Sequence, residues 1–421
     1  MKRAIQSLLA LSIFLIILFP GHAKAAETNE WVSVNDLPDA RTGAATAEVD
    51  GIIYVFGGSA SSDQAATGAK QNTTFAYDPV TNKWVQKVNM PTTRAAASTV
   101  VYEKKVYVIG GYYDSNKATY RTNKVEVYDT LTDSWETVSG LTVARSWSGA
   151  AVLDGIIYVM GGADNSGKIV STVERYDINN DKWTTLKNFP IAVNGMSATT
   201  VNGKIYAYGG GTSFTSGISG AIYEYNVAND AWTRKNNFQT ATAGSASTVY
   251  NGEIYVLGGL ANTTSLQNTT PQSRVEVYNP ETNEVRSFTA LTFVRSQSTA
   301  ASVNGEIFII GGNNGSTTLK TVEKLSFQGK DPVEPEEPIE PEQPSVNRAI
   351  LVVAMTTGLE KEFDLSMQEV NSFIDWYETK QAGSGKASYA IDKHDNNKGP
   401  FKSRKDYILF DRVLTFEVSE Y

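Results

Sequence analysis

The chain has no cysteine in 421 residues, and its two histidines, His22 and His394, lie outside the long central region. The first absence excludes disulfides, thiol nucleophiles and a lipid-modified cysteine. The second leaves that region without the ligand that copper and zinc sites use most. The formal charge is −8, so a general nucleic-acid or anionic-membrane binder is a poor fit. Long apolar runs are scarce. The one at Ala4–Phe19 follows Met1-Lys2-Arg3 and is too short for a spanning helix. With Ala23-Lys24-Ala25 behind it, residues 1–25 read as a secretory signal peptide, and the mature chain is expected to start at Ala26. Lys2, Arg3 and Lys24 would leave with it, taking the formal charge from −8 to −11. Neither an LPxTG-like sorting motif nor a C-terminal apolar tail occurs. The expectation is a product secreted to the extracellular space, or held non-covalently at the cell surface, with no transmembrane segment in the mature chain.

What is abundant is a Gly-Gly pair, repeated six times: Gly57-Gly58, Gly110-Gly111, Gly161-Gly162, Gly209-Gly210, Gly258-Gly259 and Gly311-Gly312. A period near 50 residues is a repeat architecture. Each pair ends an apolar run such as IIYVFGG or EIFIIGG. Tyr77, Tyr128, Tyr176 and Tyr225 precede Trp84, Trp135, Trp183 and Trp232 by seven residues, and Tyr278 precedes Val285 at the same step. Ten residues after those positions, and after Trp31, come Arg41, Arg94, Arg145, Val193, Thr242 and Arg295. Only the stretch from Gly-Gly to Tyr varies, so it must be loop. Small-residue runs turn into the next run through Asp50-Gly51, Asp154-Gly155, Asn202-Gly203, Asn251-Gly252 and Asn304-Gly305. Both central residues of a type I′ hairpin turn need φ > 0, which these pairs supply. Glu103-Lys104 breaks the pattern and predicts local strain.

These residues resemble the kelch repeat, whose unit is a four-stranded propeller blade. The resemblance implies an all-β, six-bladed propeller over residues 26–328. Leu325 stands at the sixth Tyr position, and seven residues on lies Pro332, so the last blade lacks its own fourth strand. Trp31 is a fourth-strand Trp with no blade before it. The segment around Trp31 is therefore expected to pair into blade six and close the ring, removing two open edges.

Residues 329–345 are a Pro/Glu spacer biased to extended chain. Residues 346–421 read as a small α+β domain. It has an apolar run at Ala349–Met355 and a Ser366-x-x-Glu369 capping box. A helix to Lys380 follows, with Val370, Phe373, Ile374 and Tyr377 on one face, and then strand-like runs at Ala387–Ile391 and Tyr407–Val418. The domain is similar to short C-terminal modules of secreted Gram-positive spore-former proteins. Asp392–Gly399 lacks the alternating carboxylates and closing Glu of a calcium loop and reads as a solvated turn.

Secreted kelch propellers include galactose-oxidase-like copper enzymes, which use two His, two Tyr and a cross-linked Cys; this chain lacks that set, and no metal or cofactor is expected. The Arg column is the stronger lead. Symmetry places Arg41, Arg94, Arg145 and Arg295 around one mouth of the central channel. Two residues on, facing the same way, come Gly43, Ala96, Trp147, Gly195, Gly244 and Gln297. The loops after Gly-Gly, with Tyr112, Tyr113, Tyr120 and Phe214, emerge there too. Arg at this repeat position resembles the acidic-peptide-binding Arg of intracellular kelch adaptors. The same Arg could instead hydrogen-bond neighbouring blades and serve structure alone. The fourth-strand Trp residues, being periodic, read as packing between blades.

The expected site is thus Arg41, Arg94, Arg145, Trp147, Arg295, Gln297, Tyr112 and Tyr113. The expected partner is an anionic glycan, a cell-wall polymer or an acidic protein segment. The alternative is an enzyme similar to the periplasmic six-bladed kelch mutarotases that act on sialic acid. Such an enzyme would need an acid/base pair within hydrogen-bond reach of its substrate.

Overall fold

In the computed structural model, residues 29–61, 70–115, 118–212, 217–261, 270–327, 348–356, 360–381, 387–392 and 405–420 are described. Residues 1–25, the Pro/Glu stretch 329–345, Phe214 and residues 393–399 lie outside them. The chain forms two compact units that divide between residues 330 and 331.

Every apolar run ending in Gly-Gly is the second strand of a four-stranded antiparallel sheet, and there are six such sheets. Blade one shows the pattern: Ala45–Val49, Ile52–Phe56, Thr74–Asp78 and Lys83–Lys87, in that order from axis to rim. Small side chains suit the innermost strand because six of these strands crowd round the axis. The hairpins turn as expected, with Asp50 at φ 52° and Gly51 at 81°, and the other Asp-Gly and Asn-Gly pairs alike. Glu103 is forced into the same left-handed region at φ 54°, whereas Lys104 is not.

Closure follows the register expected for Trp31. Trp31–Val34 pairs antiparallel with Val322–Ser326, placing Trp31 opposite Leu325, just as Trp84 lies opposite Tyr77 in blade one. Trp31 is buried with Leu291, Ile307 and Leu325.

The Tyr and Trp columns pack between blades. Tyr128 Oη donates to Asp133 Oδ1 at 2.7 Å, and the same carboxylate oxygen accepts the Val88 N–H of the preceding blade at 3.0 Å. Trp135 lies on Tyr128, centroids 5.1 Å apart, and its Nε1–H reaches Val88 O at 2.9 Å. Blades one and three repeat this latch with Asn82 and Asp181.

The second unit has a three-stranded sheet in the order Glu360–Ser366, Arg348–Met355, Val413–Glu420, and a hairpin of Ser388–Asp392 with Lys405–Leu409. The helix Met367–Gln381 buries Val370 and Phe373 against Leu351, Val353 and Ile408, with Ile374 and Tyr377 at the margin. The run expected as one strand over Tyr407–Val418 is two strands, because the 3-10 turn Phe410–Arg412 interrupts it.

Candidate functional site

The residues two after the Arg column form a closed ring. Gly43, Ala96, Trp147, Gly195, Gly244 and Gln297 all sit at φ between 53° and 64°. Each amide N–H donates to the carbonyl of its counterpart in the neighbouring blade: Gly43 to Gln297 (2.8 Å), Ala96 to Gly43 (2.8 Å), Trp147 to Ala96 (3.0 Å), Gly195 to Trp147 (2.9 Å), Gly244 to Gly195 (2.9 Å) and Gln297 to Gly244 (2.6 Å). The left-handed conformation turns each of these peptides sideways, so that blades are joined across the axis rather than only along their flanks. Glycine is the natural occupant, and three blades use it. Trp147, a bulky residue at φ 58°, is the outlier. Backbone strain under a bulky side chain makes Trp147 a candidate for function.

Below the ring runs a channel of about 620 Å³ lined by the innermost strands, largely Ala, Ser and Thr. Glu48 is the single ionisable residue in that lining. Its Oε1 accepts the Gly51 N–H at 2.7 Å, at the hairpin end.

The Arg column does not present its charge at this mouth. Arg41, Arg94, Arg145 and Arg295 are all 2% exposed or less. Their Nη1 atoms donate to the first carbonyl of each Gly-Gly pair: to Gly57 O at 2.8 Å, Gly110 O at 3.1 Å, Gly161 O at 3.0 Å and Gly311 O at 3.1 Å. Arg94 pairs with Glu126 at 2.8 Å, and Arg145 and Arg295 make short ion pairs with Glu174 and Glu323. Those three carboxylates are as buried as their partners. Arg41 instead stacks over Phe75 and pairs with Asp39. Burial pulls each guanidinium below its ordinary pKa, while the paired carboxylate pushes it back up. The expectation of an Arg-lined recognition mouth is therefore corrected. A desolvated charge needs a counter-charge and hydrogen-bond acceptors, and the blades supply the carboxylates and carbonyls from within, although the Nε atoms of Arg41, Arg94 and Arg295 find no hydrogen-bond partner.

Blade five lacks this arrangement in an informative way. Thr242 replaces the Arg, yet Glu276 remains, 2% exposed, accepting the N–H groups of Gln239 (2.9 Å) and Thr240 (3.3 Å). No ion pair to it occurs among the described residues, and burial pushes its carboxyl above the usual range.

Of the other expected residues, Trp147 and Gln297 are half-buried in the ring, and Gln297 Oε1 accepts the Thr42 hydroxyl at 3.0 Å. Tyr112 and Tyr113 lie in a hairpin, Tyr112–Ser115 with Ala118–Arg121, on the same face as the ring. Tyr112 is nearly buried, bridging to Ala95 next to ring residue Ala96. Tyr113 packs against Tyr120, centroids 5.9 Å apart, and Tyr120 is 45% exposed.

That hairpin carries a cation absent from the sequence expectation. The Arg121 guanidinium lies over the Tyr112 ring, 4.8 Å from its centroid. Its Nη2 donates to Tyr112 Oη at 3.0 Å, and its Nε to Ser146 Oγ, beside Trp147, at 3.1 Å. Arg121 makes no ion pair with any described residue. Asp164 is near, but its Oδ1 is occupied by its own turn, accepting from Ser166 N and Oγ and from Lys168 N. Arg121 sits in a variable loop, where no repeat spacing could mark it.

The family model described as the Attractin/LZTR1 beta-propeller matches residues 25–165 and 85–322. The chain belongs to this family of kelch-type propellers. Among curated proteins it is similar to the Kelch-like protein terF of Aspergillus terreus, 31% identical over 153 residues, which is 35% of this chain and 33% of that protein. It is also similar to Kelch-like protein 35 of Mus musculus, at 27% over 35% of this chain and 23% of the relative, and to Beta-scruin of Limulus polyphemus, at 32% over 24% and 12%. The chain thus spans a third or less of the length of these curated relatives. The solved structure of YjhT superposes with a TM-score of 0.61 at 15% identity, covering 70% of this chain and 98% of that one. That likeness is one of fold. No helix among the described residues is long and apolar enough to cross a membrane.

Proposed function

We propose that this kelch-type propeller is a recognition module whose loop face above blades two and three binds a carboxylate-bearing ligand, on a glycan, a cell-wall polymer or an acidic peptide loop. Arg121 is the anchoring cation, and Trp147, Tyr113 and Tyr120 are the apolar surface beside it. If residues 1–25 act as a leader, the ligand is met outside the cell.

The observation that carries this reading is the state of Arg121: in no ion pair among the described residues, laid over Tyr112 and hydrogen-bonded to Ser146, the neighbour of the strained Trp147. Aromatic surface next to a guanidinium is the composition of a binding hot spot. Binding ranks above the mutarotase-like alternative because no ring position carries an acid or base. Glu126, Glu174 and Glu323 are buried in ion pairs and unavailable for proton transfer.

An array of acidic and neutral glycans and peptides tests the reading. A charge-assisted hydrogen bond is worth about 1.5 to 3 kcal/mol, so Arg121→Ala is expected to weaken the best acidic hit by roughly ten- to a hundredfold. Added salt should weaken it further. Wild type binding only neutral ligands, or Arg121→Ala binding as well while folded, would refute the proposal. Chemical conversion of an array hit would promote the enzyme alternative.

A further inference from the structure

Blade five lacks a second repeated group. In four other blades the outer-strand indole reaches back to a main-chain carbonyl of the preceding blade: Trp31 Nε1 to Thr289 O (3.0 Å), Trp84 to Asn35 O (3.0 Å), Trp135 to Val88 O (2.9 Å) and Trp183 to Ser139 O (2.7 Å). Each acceptor stands four residues beyond the indole position of its own blade. Blade five has Val285 in place of the Trp, and the corresponding carbonyl is that of Asn236. Asn236 is held as its counterparts are, its N–H donating to the turn residue Asn283 at Oδ1 (3.1 Å). Its Nδ2 adds a bond to Asn283 O at 2.9 Å. The acceptor is therefore set in place for a donor that blade five does not supply.

A surface cavity of about 360 Å³ touches both Val285 and Asn236, the two positions an indole joins elsewhere in the ring. Asn279, Thr282, Glu253, Glu284 and Arg286 complete its wall. Glu253 and Arg286 form a two-pronged ion pair, both contacts at 2.7 Å, which leaves the negative charge of Glu284 unbalanced at the rim.

We propose that this notch is a docking site for a tryptophan side chain of a partner polypeptide. The Nε1–H donates to Asn236 O, the ring covers Val285, and a Lys or Arg flanking the Trp meets Glu284. The molecule itself specifies the occupant, since an indole joins this pair of positions in four other blades. The site lies between the outer strands of blades four and five and is independent of the Arg121 face.

The test uses the full chain and two capped pentapeptides, Ser-Lys-Trp-Lys-Ser and the same peptide with Ala for Trp, followed by calorimetry and ligand-observed NMR. Wild type is expected to bind the Trp peptide in the millimolar range or tighter and at least tenfold better than the Ala peptide, as befits one anchoring side chain. Val285→Trp, which supplies the indole in cis, should abolish that preference and raise the melting temperature. Val285→Leu is a milder filling should the Trp variant fail to fold, and it should weaken binding at least threefold. Equal binding of the two peptides to wild type would overturn the proposal, as would an unchanged Trp preference in a folded Val285 variant. Arg121→Ala should leave this binding unaltered; a joint loss would place the peptide on the other face and also overturn it.

Discussion

Glu174→Gln and Glu276→Gln make the same chemical change at equivalent positions of two blades, and the structure predicts effects of very different size. Glu174 faces Arg145, and both side chains are 1% exposed or less. The guanidinium also donates to the carbonyls of Gly161 and Thr172, so it cannot swing out to water without breaking the join between strands. Glu174→Gln preserves the shape but leaves a buried cation without its counter-charge, a loss of about 3 to 5 kcal/mol. An unfolding entropy near 2 cal/mol/K per residue, taken over roughly 300 propeller residues, turns that into a fall in melting temperature of about 5 to 8 °C. Glu276 makes no ion pair among the described residues, and Arg274 acts on it only as the smallest influence on its carboxyl. A glutamine there can accept from Gln239 or Thr240 but sets its NH2 against the other N–H, because the two bonds use different carboxylate oxygens; against that loss, the cost of burying a carboxylate disappears. Glu276→Gln is therefore expected to cost clearly less than Glu174→Gln at pH 7.

The pH dependence separates the two further. The Glu276 carboxyl is raised in the folded state, so its favourable contribution is complete below the ordinary carboxylate pKa and is lost as pH rises through the folded value. Relative to wild type, Glu276→Gln should accordingly do worse as pH falls toward the range in which a free glutamate protonates, where the wild-type side chain is itself neutral. Calorimetric melts of wild type and both variants between pH 4 and 8 are the assay. A Glu276→Gln loss as large as that of Glu174→Gln would refute the account of blade five.

Trp31→Ala should cost about 3 to 5 kcal/mol by emptying the seam between Leu291 and Leu325 and freeing Thr289 O; a melt unchanged from wild type would remove the closing strand from the stability argument. Gly57→Ala and Gly305→Ala both place a side chain at positive φ, a strain of about 1 to 2 kcal/mol. Only at Gly57 would the new Cβ also lie 2.4 Å from a backbone oxygen, that of Arg94. Denaturant unfolding should therefore show the Gly57 variant clearly the less stable, and equal midpoints would contradict the packing described. Trp147→Gly should release up to about 1 kcal/mol of strain while weakening the array hit, and a destabilised variant would show that the indole serves packing.

Much of this was legible in residue spacing. Constant steps from Tyr to Trp to Gly-Gly located the paired strands, and the orphan Trp31 together with the missing strand after Leu325 located the closure. Hairpin turns were legible because few dipeptides accept two positive φ values in succession. The direction of the Arg side chains was not, since spacing fixes where a strand begins and says nothing of which way a long side chain folds. A signal did exist: Glu126, Glu174 and Glu323 recur two residues before the third-strand Tyr or Leu in the three blades whose Arg has an acidic partner across the blade, and a periodic base matched by a periodic acid marks an internal pair. In the C-terminal unit, alternation over Lys361-Glu362-Phe363-Asp364-Leu365 carried the strand Glu360–Ser366, which an expectation centred on the capping box passed over. Arg121 had no periodic signal, because the loop that holds it differs in every blade.

Because Trp31 pairs with Leu325, the first propeller strand to leave the ribosome is the last to find its partner. About 290 residues must be made in between, and joining the ends of so long a loop costs roughly 5 kcal/mol if the intervening chain is still flexible. Prior folding of blades one to five removes most of that cost, so assembly should run from the amino-terminal side round the circle. Until the final strand docks, the nascent molecule carries an unpaired edge on Val322–Ser326 and a free, matching segment at Trp31–Val34. Two such chains can satisfy each other as readily as themselves, and a domain-swapped dimer is the characteristic error of this design. Crowded synthesis, rather than heat, is the condition under which this propeller is most exposed to misassembly.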